Sequence, residues 1–248
     1  MKVSIIGYGK MGKEIEQLCI KRGHTIYSIV DPILNTNLDA LIGADLAIEF
    51  TQPTVAELNI RFCLDHGIPV VSGTTGWHTE LENLQEYCKS RNGTFFYSSN
   101  YSIGVHLFWQ VSRFLSGTMD SFREYKLSIH EVHHDQKKDA PSGTAVTLAE
   151  EMLKASNRFS TWQKTDKQDW SAHDAIPISS GRVGAVPGIH SVEYKSDHDR
   201  LVFTHEAFTR GGFVTGVVMA AEWLIGKKGV FGMDDLFTRP TDQAQVNG

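Results

Sequence analysis

The sequence lacks the features that mark several specialised protein classes. It contains only three cysteines in 248 residues, Cys19, Cys63 and Cys88, and each lies in a stretch with a helical pattern. An odd number of widely spaced cysteines predicts reduced thiols rather than a disulfide framework. No apolar run approaches the roughly 20 residues that a membrane helix needs, so we expect no membrane span.

Basic residues are not clustered either. The formal net charge is −5 and there is no run of Lys and Arg. This argues against nucleic acid as a partner, because affinity for the phosphate backbone depends on clustered positive charge. The N-terminus enters a strand-like run directly, without the charged and apolar regions of a secretory signal. We therefore expect a cytoplasmic protein, and its length favours two domains.

Apolar runs and helix-like segments alternate through the first hundred residues. Such alternation predicts βαβ units and a parallel sheet. In two of the helix-like segments, residues 15–20 and 55–64, apolar residues recur near i, i+3 and i+4, as expected for helices that cover a sheet. The predicted strands are residues 2–6, 25–30, 45–50, 68–72 and 94–97.

The pattern changes in the second part of the chain. A helix-like stretch over 105–115 precedes a strand with one buried face over 124–133, and further strands are predicted over 190–194 and 200–207. The polar, Gly-rich segment 156–188 is predicted to be loop. Long strands after so much loop favour an α+β domain with an open mixed or antiparallel sheet.

We therefore predict an α/β fold with two domains. A Rossmann-type dinucleotide-binding domain is expected to comprise residues 1–101 and 210–248, because the apolar helix-like stretch 216–225 is suited to pack back on the first domain. Residues 102–209 are expected to form a second, α+β domain on an open mixed sheet, which binds the substrate.

A glycine-rich turn follows the first predicted strand. Gly7, Gly9 and Gly12 form a G-x-G-x-x-G motif that also contains Lys10 and Met11, and it opens the first predicted helix. The missing side chains let the backbone turn tightly and approach a pyrophosphate, which free N–H groups and the helix dipole attract. The alternative is a glycine-rich turn with a purely structural role.

An acidic residue stands where such a motif needs one. Asp31 ends the second predicted strand, 19 residues after Gly12, where a carboxylate can accept hydrogen bonds from a ribose 2′-OH. It would repel a 2′-phosphate, and the following Pro32-Ile33 supplies no arginine. We therefore predict NADH or NADPH as the cofactor, with NADH favoured. The positive charge of Lys10 could reduce that preference for NADH.

Three more polar turns follow predicted strands, at the carboxyl edge where open α/β sheets bind ligands. Each turn alone is typical of an ordinary connection. Together with the glycine motif they predict cofactor contacts. Their residues are Phe50, Thr51, Gly73, Thr74, Thr75, Ser98, Ser99, Asn100 and Tyr101.

The densest group of candidate functional residues lies at the end of a predicted strand and the start of the next predicted helix. The group comprises His133, His134, Lys137, Ser142, Gly143 and Thr144. An imidazole can act as general acid or base near neutral pH, a lysine can supply a charge or a proton, and a helix start can bind an anion. This set suits a dicarboxylate substrate. Paired surface histidines without function are the alternative.

A metal site is not expected in this segment. Its candidate ligands are His130, His133, His134 and Asp135. Their spacing at a strand end matches no common zinc pattern.

Several motifs together resemble those of the 4-hydroxy-tetrahydrodipicolinate reductase family. The central one is His133-His134-x-x-Lys137-x-Asp139-Ala-Pro-Ser-Gly-Thr144. The glycine motif, Gly73–Gly76 and Asn100–Gly104 resemble the family's cofactor segments, in order. Arg182-x-Gly184-x-x-x-Gly188-x-His190 and His205-x-Ala-x-x-Arg210 also fit, so the resemblance spans most of the chain.

The resemblance implies that His133 is the acid/base histidine and Lys137 the proton-donating lysine. Asp135 and Gln136 depart from the basic or histidine residues often found there, which could weaken the attraction of a dianion. The implied substrate contacts are His134, Gly143 and Thr144. The implied cofactor contacts are Gly7, Lys10, Met11, Gly12, Asp31, Gly73, Thr75 and Ser98 to Tyr101, to which we add Arg210.

The implied activity is the NAD(P)H-dependent reduction of a cyclic dicarboxylate to tetrahydrodipicolinate, on the diaminopimelate route to lysine. Water would leave the hydroxylated ring, and the unsaturated product would be reduced at ring carbon 4. The family also implies a homotetramer joined through the second-domain sheets. Two alternatives stay open, another two-domain dehydrogenase of small acids and a dinucleotide sensor without catalysis.

Overall fold

The computed structural model describes residues 1–31, 37–77, 81–171 and 174–237. Pro32 and Ile33, on which part of the cofactor prediction depends, lie outside the described residues. The strands are β1 (Lys2–Ile6), β2 (Thr25–Val30), β3 (Leu46–Glu49), β4 (Val70–Ser72), β5 (Thr94–Tyr97), β6 (Lys126–His133), β7 (Thr161–Thr165), β8 (Ala175–Arg182), β9 (Gly188–Lys195), β10 (Arg200–Ala207) and β11 (Gly229–Phe231). The helices are α1 (Lys10–Lys21), α2 (Pro53–Asp65), α3 (Leu81–Ser90), α4 (Ile103–Met119), α5 (Gly143–Leu153), α6 (Gly211–Leu224) and α7 (Met233–Phe237).

The chain divides into two compact units, one of Met1–Ser102 with Gly211–Gly248 and one of Ile103–Arg210. The sheet of the first unit has the order β11-β5-β4-β3-β1-β2, and all its strand pairs are parallel. The strand order reverses between β1 and β3. Ligands of open parallel sheets bind beyond the carboxyl ends of the strands at such a reversal.

Helices bury the central strands of the first unit. Ile5, Ile48 and Phe95 in the central strands are fully buried, as expected for a parallel sheet with both faces covered. The three cysteines lie in α1, α2 and α3, where they are buried and free. This confirms the helical pattern predicted around each of them.

The second unit contains a mixed sheet of order β10-β9-β6-β8-β7. Its pairs β10/β9 and β6/β9 are antiparallel, whereas β6/β8 and β7/β8 are parallel. Side chains of α4 and α5, such as Phe108 and Leu148, form a buried core with Leu127, Ile129 and Ile178 of the sheet. The predicted open mixed sheet is confirmed.

The prediction of loop over 156–188 is wrong, because this segment contains β7 and most of its length after Asp174 is β8. Ile176 and Ile178 of β8 alternate into the core. Between and after them stand Pro177 and Gly181, whose residue types are depleted in strands. Burial of the two isoleucines outweighs that local preference.

Other boundaries differ only in extent. The helix predicted over 105–115 is the longer α4, and the stretch predicted over 216–225 is α6, which begins at Gly211. None of the helices in the described ranges combines the length and the apolar character needed to cross a membrane.

Candidate active site

The glycine motif forms a tight turn between β1 and α1. Gly7 has a φ of +93°, which L side chains rarely adopt, and a Cβ there would lie 2.1 Å from the carbonyl oxygen of Phe50. A Cβ on Gly12 would lie 2.2 Å from the carbonyl oxygen of Gly7. Both glycines therefore allow backbone segments to approach more closely than any side chain would permit.

Two clefts open at the reversal of strand order. The larger has a volume of about 610 Å³ and the smaller about 210 Å³. Gly9, Phe50 and Thr51 line both of them. The larger is also lined by Lys10, Met11, Gly12, Pro53, Gly73, Thr74 and Thr75, and the smaller by Gly7, Tyr8, Asp31 and Gln52. Eleven of the residues predicted to contact the cofactor are thus brought together here.

Asp31 is fixed beside the glycine turn. Its Oδ2 accepts a hydrogen bond of 2.7 Å from the backbone N–H of Tyr8. This places a carboxylate at the end of β2 in the wall of the smaller cleft. The position suits an acceptor for ribose hydroxyls.

A buried carboxylate that the sequence analysis missed supports these clefts. Glu49, the last residue of β3, is fully buried. Its Oε1 accepts hydrogen bonds from the N–H of Thr51 (3.0 Å), from the Thr51 hydroxyl and from the Thr74 hydroxyl (2.9 Å), and its Oε2 accepts one from the Ser72 hydroxyl (2.6 Å). Glu49 therefore ties the turn after β3 to the turn after β4.

The predicted contacts in Ser98 to Tyr101 are placed differently. The Ser98 hydroxyl donates to the Asn100 carbonyl oxygen (2.6 Å), and the Tyr101 hydroxyl donates to the Ser72 carbonyl oxygen (2.6 Å). Neither cleft is lined by this segment. Arg210, also predicted to contact the cofactor, is exposed and ends the second unit.

In the second unit, His133 ends β6 and is buried, while His134 follows at the start of the next loop. Lys137 lies in that loop, and its Nζ is 2.9 Å from Asp139 Oδ1. The hydrogen bond from Lys137 lowers the pKa of Asp139. Lys137 is partly exposed, so its ammonium group can reach an anion.

Helix α5 begins beside these residues. Ser142 is its N-cap, since the Ser142 Oγ accepts a hydrogen bond of 3.2 Å from the N–H of Ala145. The same oxygen lies 3.2 Å from His190 Nε2, so the predicted substrate contact Ser142 is already engaged within the protein. Gly143 and Thr144 are the first helical residues, and a Cβ on Gly143 would meet nothing within 4 Å. Their N–H groups and the positive end of the helix dipole suit a carboxylate.

Three further buried or partly buried groups surround His133. Glu131 bonds to His133 Nδ1, Arg182 pairs with Glu131 at 3.1 Å, and the ring of His190 meets the His133 ring edge-on with centroids 5.0 Å apart. Alternation on β6 places Glu131 on the same face as His133, so the sequence contained that signal. Arg182 is opposite His133 in the β6/β8 register, a pairing that the loop predicted over 156–188 does not contain.

Burial and hydrogen bonding set the charges of this group. Burial alone would raise the pKa of Glu131, but hydrogen bonds from His133 and Arg182 lower it to about 2. Burial, reinforced by the neighbouring His133, lowers the pKa of His190 to about 3. Glu131 is therefore ionised and His190 neutral around pH 7.

Glu131, His133 and His190 are close enough to ligate a metal ion, since their ligand atoms lie within 4.8 Å of one another. However, Glu131 already binds the Arg182 guanidinium and the His133 ring nitrogen. A guanidinium 3.1 Å from the carboxylate would oppose a second cation there. We assign no metal to this cluster.

The fold and the two groups of residues define a class of protein. A parallel sheet with a glycine-rich turn at its strand reversal, joined in one chain to a histidine and a lysine beside a helix start, is the arrangement of a nicotinamide-dependent oxidoreductase. Family models described as "Dihydrodipicolinate reductase, N-terminus" and "Dihydrodipicolinate reductase, C-terminus" match residues 1–101 and 104–237. The chain belongs to the dihydrodipicolinate reductase family and is an NAD(P)H-dependent oxidoreductase.

Similar proteins agree with this assignment. The chain is 41% identical to a 4-hydroxy-tetrahydrodipicolinate reductase of Christiangramia forsetii, over 96% of this chain and 98% of the relative. It is 30% identical to the enzyme of that name from Staphylococcus haemolyticus, over 95% of this chain and 100% of the relative. Among solved structures, dipicolinate-bound dihydrodipicolinate reductase from Paenisporosarcina sp. TG-14 has the same fold, with a TM-score of 0.81, 21% identity, and coverage of 96% of this chain and 99% of the other.

Proposed function

We propose that the chain reduces 4-hydroxy-tetrahydrodipicolinate to tetrahydrodipicolinate, on the diaminopimelate route to lysine. The observation that carries the proposal is the grouping of His133 and Lys137 with the start of α5, in a chain whose relatives bear the name of that enzyme. In this account residues 1–101 with 210–248 bind the dinucleotide, and residues 102–209 bind the cyclic dicarboxylate.

The turn after β1 fits the pyrophosphate of NAD(P)H. Close backbone approach at Gly7 and Gly12 excludes side chains from the turn, and the first residues of α1 line the larger cleft, where the positive end of the helix dipole suits a diphosphate. When bound, NAD(P)H supplies the hydride. The chain's own part in the first unit is to hold the diphosphate at the glycine turn and a ribose at Asp31.

The second unit supplies charge and protons. Lys137 and the N–H groups of Gly143 and Thr144 offer positive potential to the two carboxylates of the substrate. Water first leaves the hydroxylated ring, and the unsaturated ring then accepts a hydride at carbon 4, after which the adjacent carbon 3 requires a proton. His133 or Lys137 delivers it as a general acid.

Asp31 leads us to propose that NADH is used at least as well as NADPH. The hydrogen bond from the Tyr8 N–H holds the carboxylate in the wall of the smaller cleft, and a carboxylate beside a bound ribose would repel a 2′-phosphate. Comparison of kcat/KM for the two cofactors tests this, and a clear preference for NADPH would contradict it. If Lys10 permits residual use of NADPH, Lys10→Ala will reduce the efficiency of NADPH more than that of NADH.

The test of the activity is the loss of nicotinamide absorbance in the presence of the cyclic substrate. The chain should oxidise NADH with this substrate and should be inactive with other small acids such as aspartate. Turnover of aspartate or a sugar acid instead would favour another dehydrogenase. Binding of NADH without turnover of any of these acids would favour a sensor.

We also propose a homotetramer assembled through the sheets of the second unit. Leu201 and Val202 on the edge strand β10 are each 49% exposed, which is unusual for adjacent large apolar side chains on an edge strand. Light scattering should give a mass near four chains, and Val202→Asp should lower it. A monomeric wild-type protein would contradict this assembly.

A further inference from the structure

The face of β6 that packs against the helices changes from apolar to charged and polar along the strand. Leu127 and Ile129 belong to the apolar core, but the next two residues on that face are Glu131 and His133. Glu131 is fully buried. Burying an ionised carboxylate without partners would be strongly unfavourable, so its partners must explain its presence.

Both oxygens of Glu131 are engaged. Oε2 accepts the hydrogen bond from His133 Nδ1, and Oε1 accepts hydrogen bonds of 3.1 Å from both Nη1 and Nη2 of Arg182. Arg182 comes from the neighbouring strand β8, directly opposite His133 in the register. Glu131 is ionised around pH 7, as described above, and can only accept hydrogen bonds.

An ionised acceptor at Nδ1 fixes the tautomer of His133. Nδ1 must carry a proton, and Nε2 is then the nitrogen that exchanges protons. A Cβ built on Gly188, the first residue of β9, would lie 3.0 Å from Nε2. The missing side chain at Gly188 therefore leaves space beside this nitrogen.

Arg182 also holds the loop that carries Lys137. Its Nη2 donates a hydrogen bond of 2.6 Å to the carbonyl oxygen of Asp139, and its Nε donates one of 3.3 Å to the carbonyl oxygen of Lys137. One guanidinium thus joins the carboxylate behind His133 to the backbone of the loop. Arg182 therefore supports both proposed proton donors, His133 and Lys137.

The remaining charged or titratable groups near His133 are few among the described residues. The neighbouring strand β9 contributes His190, which burial keeps neutral, and His205 on β10 lies beyond it. The loop contributes Lys137, whose charge is partly offset by Asp139 at 2.9 Å. Helix α5 contributes the hydroxyl of Ser142, which caps the helix. Glu131 is the anion in direct contact with the ring.

We propose that Glu131 is a positioning residue for the reaction: supported by Arg182, it fixes the tautomer and orientation of His133 and stabilises the protonated ring from which Nε2 delivers a proton. This inference rests on the proposed function, in which His133 acts on the cyclic dicarboxylate.

Glu131→Gln tests the inference, because it preserves shape and removes the charge. We expect kcat to fall by roughly 10-fold or more, because groups that orient a metal-bound histidine are worth about 10- to 100-fold and the acid that orients a triad histidine about 10⁴-fold. The alkaline limb of the kcat/KM profile should move to lower pH, because a protonated ring without its carboxylate partner loses its proton more readily. NADH affinity should be unchanged. The matched control is Glu151→Gln, which removes an exposed ion pair with Arg113 and Lys154.

The inference would be overturned if Glu131→Gln had a kcat within twofold of that of the control and an alkaline limb at the same pH. If Glu131→Gln does not fold, nitrogen-15 NMR of the histidines in the wild-type protein decides the matter, with the His133 signal assigned by its loss in His133→Gln. A proton on Nδ1 of the neutral ring is the expected result. A proton on Nε2 would overturn the inference.

The two proposals can fail separately. If the wild-type protein does not turn over the cyclic substrate, the proposed function is wrong, whatever the tautomer of His133. If the wild-type protein is active and His133→Gln is not, while Glu131→Gln matches its control, only the role of Glu131 is wrong.

Discussion

Glu49 allows a quantitative prediction about the cofactor half of the protein. Glu49 accepts four hydrogen bonds, and the contacts of the neighbouring residues are consistent with their acting as the donors. The Thr74 hydroxyl accepts from the N–H of Thr51 at 2.8 Å, and the Thr51 hydroxyl accepts from the Asn59 amide at 3.4 Å. Each hydroxyl therefore has its own hydrogen available for Glu49. The network requires an acceptor with two oxygens at this position.

Glu49→Gln replaces one of those oxygens with an NH₂ group that faces donors. At least one charge-assisted hydrogen bond is lost, worth about 1.5–3 kcal/mol, and the buried donor left behind adds to the cost. We expect the free energy of unfolding to fall by about 2–4 kcal/mol. This corresponds to a decrease in Tm of roughly 4–16 °C for a chain of this size. NADH binding should weaken as well, because Thr51 and Thr74 line the larger cleft.

The assays are thermal unfolding and titration of NADH followed by nicotinamide fluorescence. Glu57→Gln is the matched control, because Glu57 is half-exposed on α2 and pairs with Arg61 one turn away at 2.7 Å. Exposed pairs of this kind contribute about 0.5 kcal/mol or less. If Glu49→Gln unfolds at the temperature of the control and binds NADH equally well, Glu49 does not organise the cofactor turns.

Three further substitutions separate the other roles. Lys137→Ala should both lower kcat and weaken binding of the cyclic substrate. The control Lys138→Ala, which removes the exposed neighbouring lysine, should change neither. Steady-state kinetics of the two variants tests this. Thr144→Val should mainly raise KM, and an equal loss in kcat would assign Thr144 to the chemical step. Gly12→Ala would place a Cβ 2.2 Å from the carbonyl oxygen of Gly7, and the substitution must therefore move that oxygen by about 1 Å. It should therefore weaken NADH binding, and unchanged affinity would show that the turn can relax.

The sequence predicted the first sheet well for a physical reason. Its central strands β1, β3, β4 and β5 are short runs of mainly apolar residues that are largely buried, and the predicted bounds of β1, β2 and β5 agree with the structure. The glycine motif was equally informative, because Gly7 and Gly12 stand where the backbone leaves no room for a side chain.

The second sheet was harder to predict, since contacts between distant segments decide it. In β8, Ile176 and Ile178 are the only large apolar residues among polar ones, and their burial depends on the helices that cover them. The contact between Arg182 and Glu131, which supports His133, could not be predicted for the same reason. Arg182 reaches Glu131 only after β6 and β8 have paired in the observed register. Glu49 was overlooked because an acidic residue at a strand end gives no sign of its burial.

In the proposed reaction His133 acts on the cyclic dicarboxylate, whereas the first unit binds NADH independently of His133. The most direct measurement compares the wild-type protein with His133→Gln in a single-turnover assay of NADH oxidation, with NADH affinity measured in parallel. We expect a rate about 10²- to 10⁴-fold lower for the variant, because a general acid is lost, with the same affinity for NADH. Near-normal turnover by His133→Gln would contradict it.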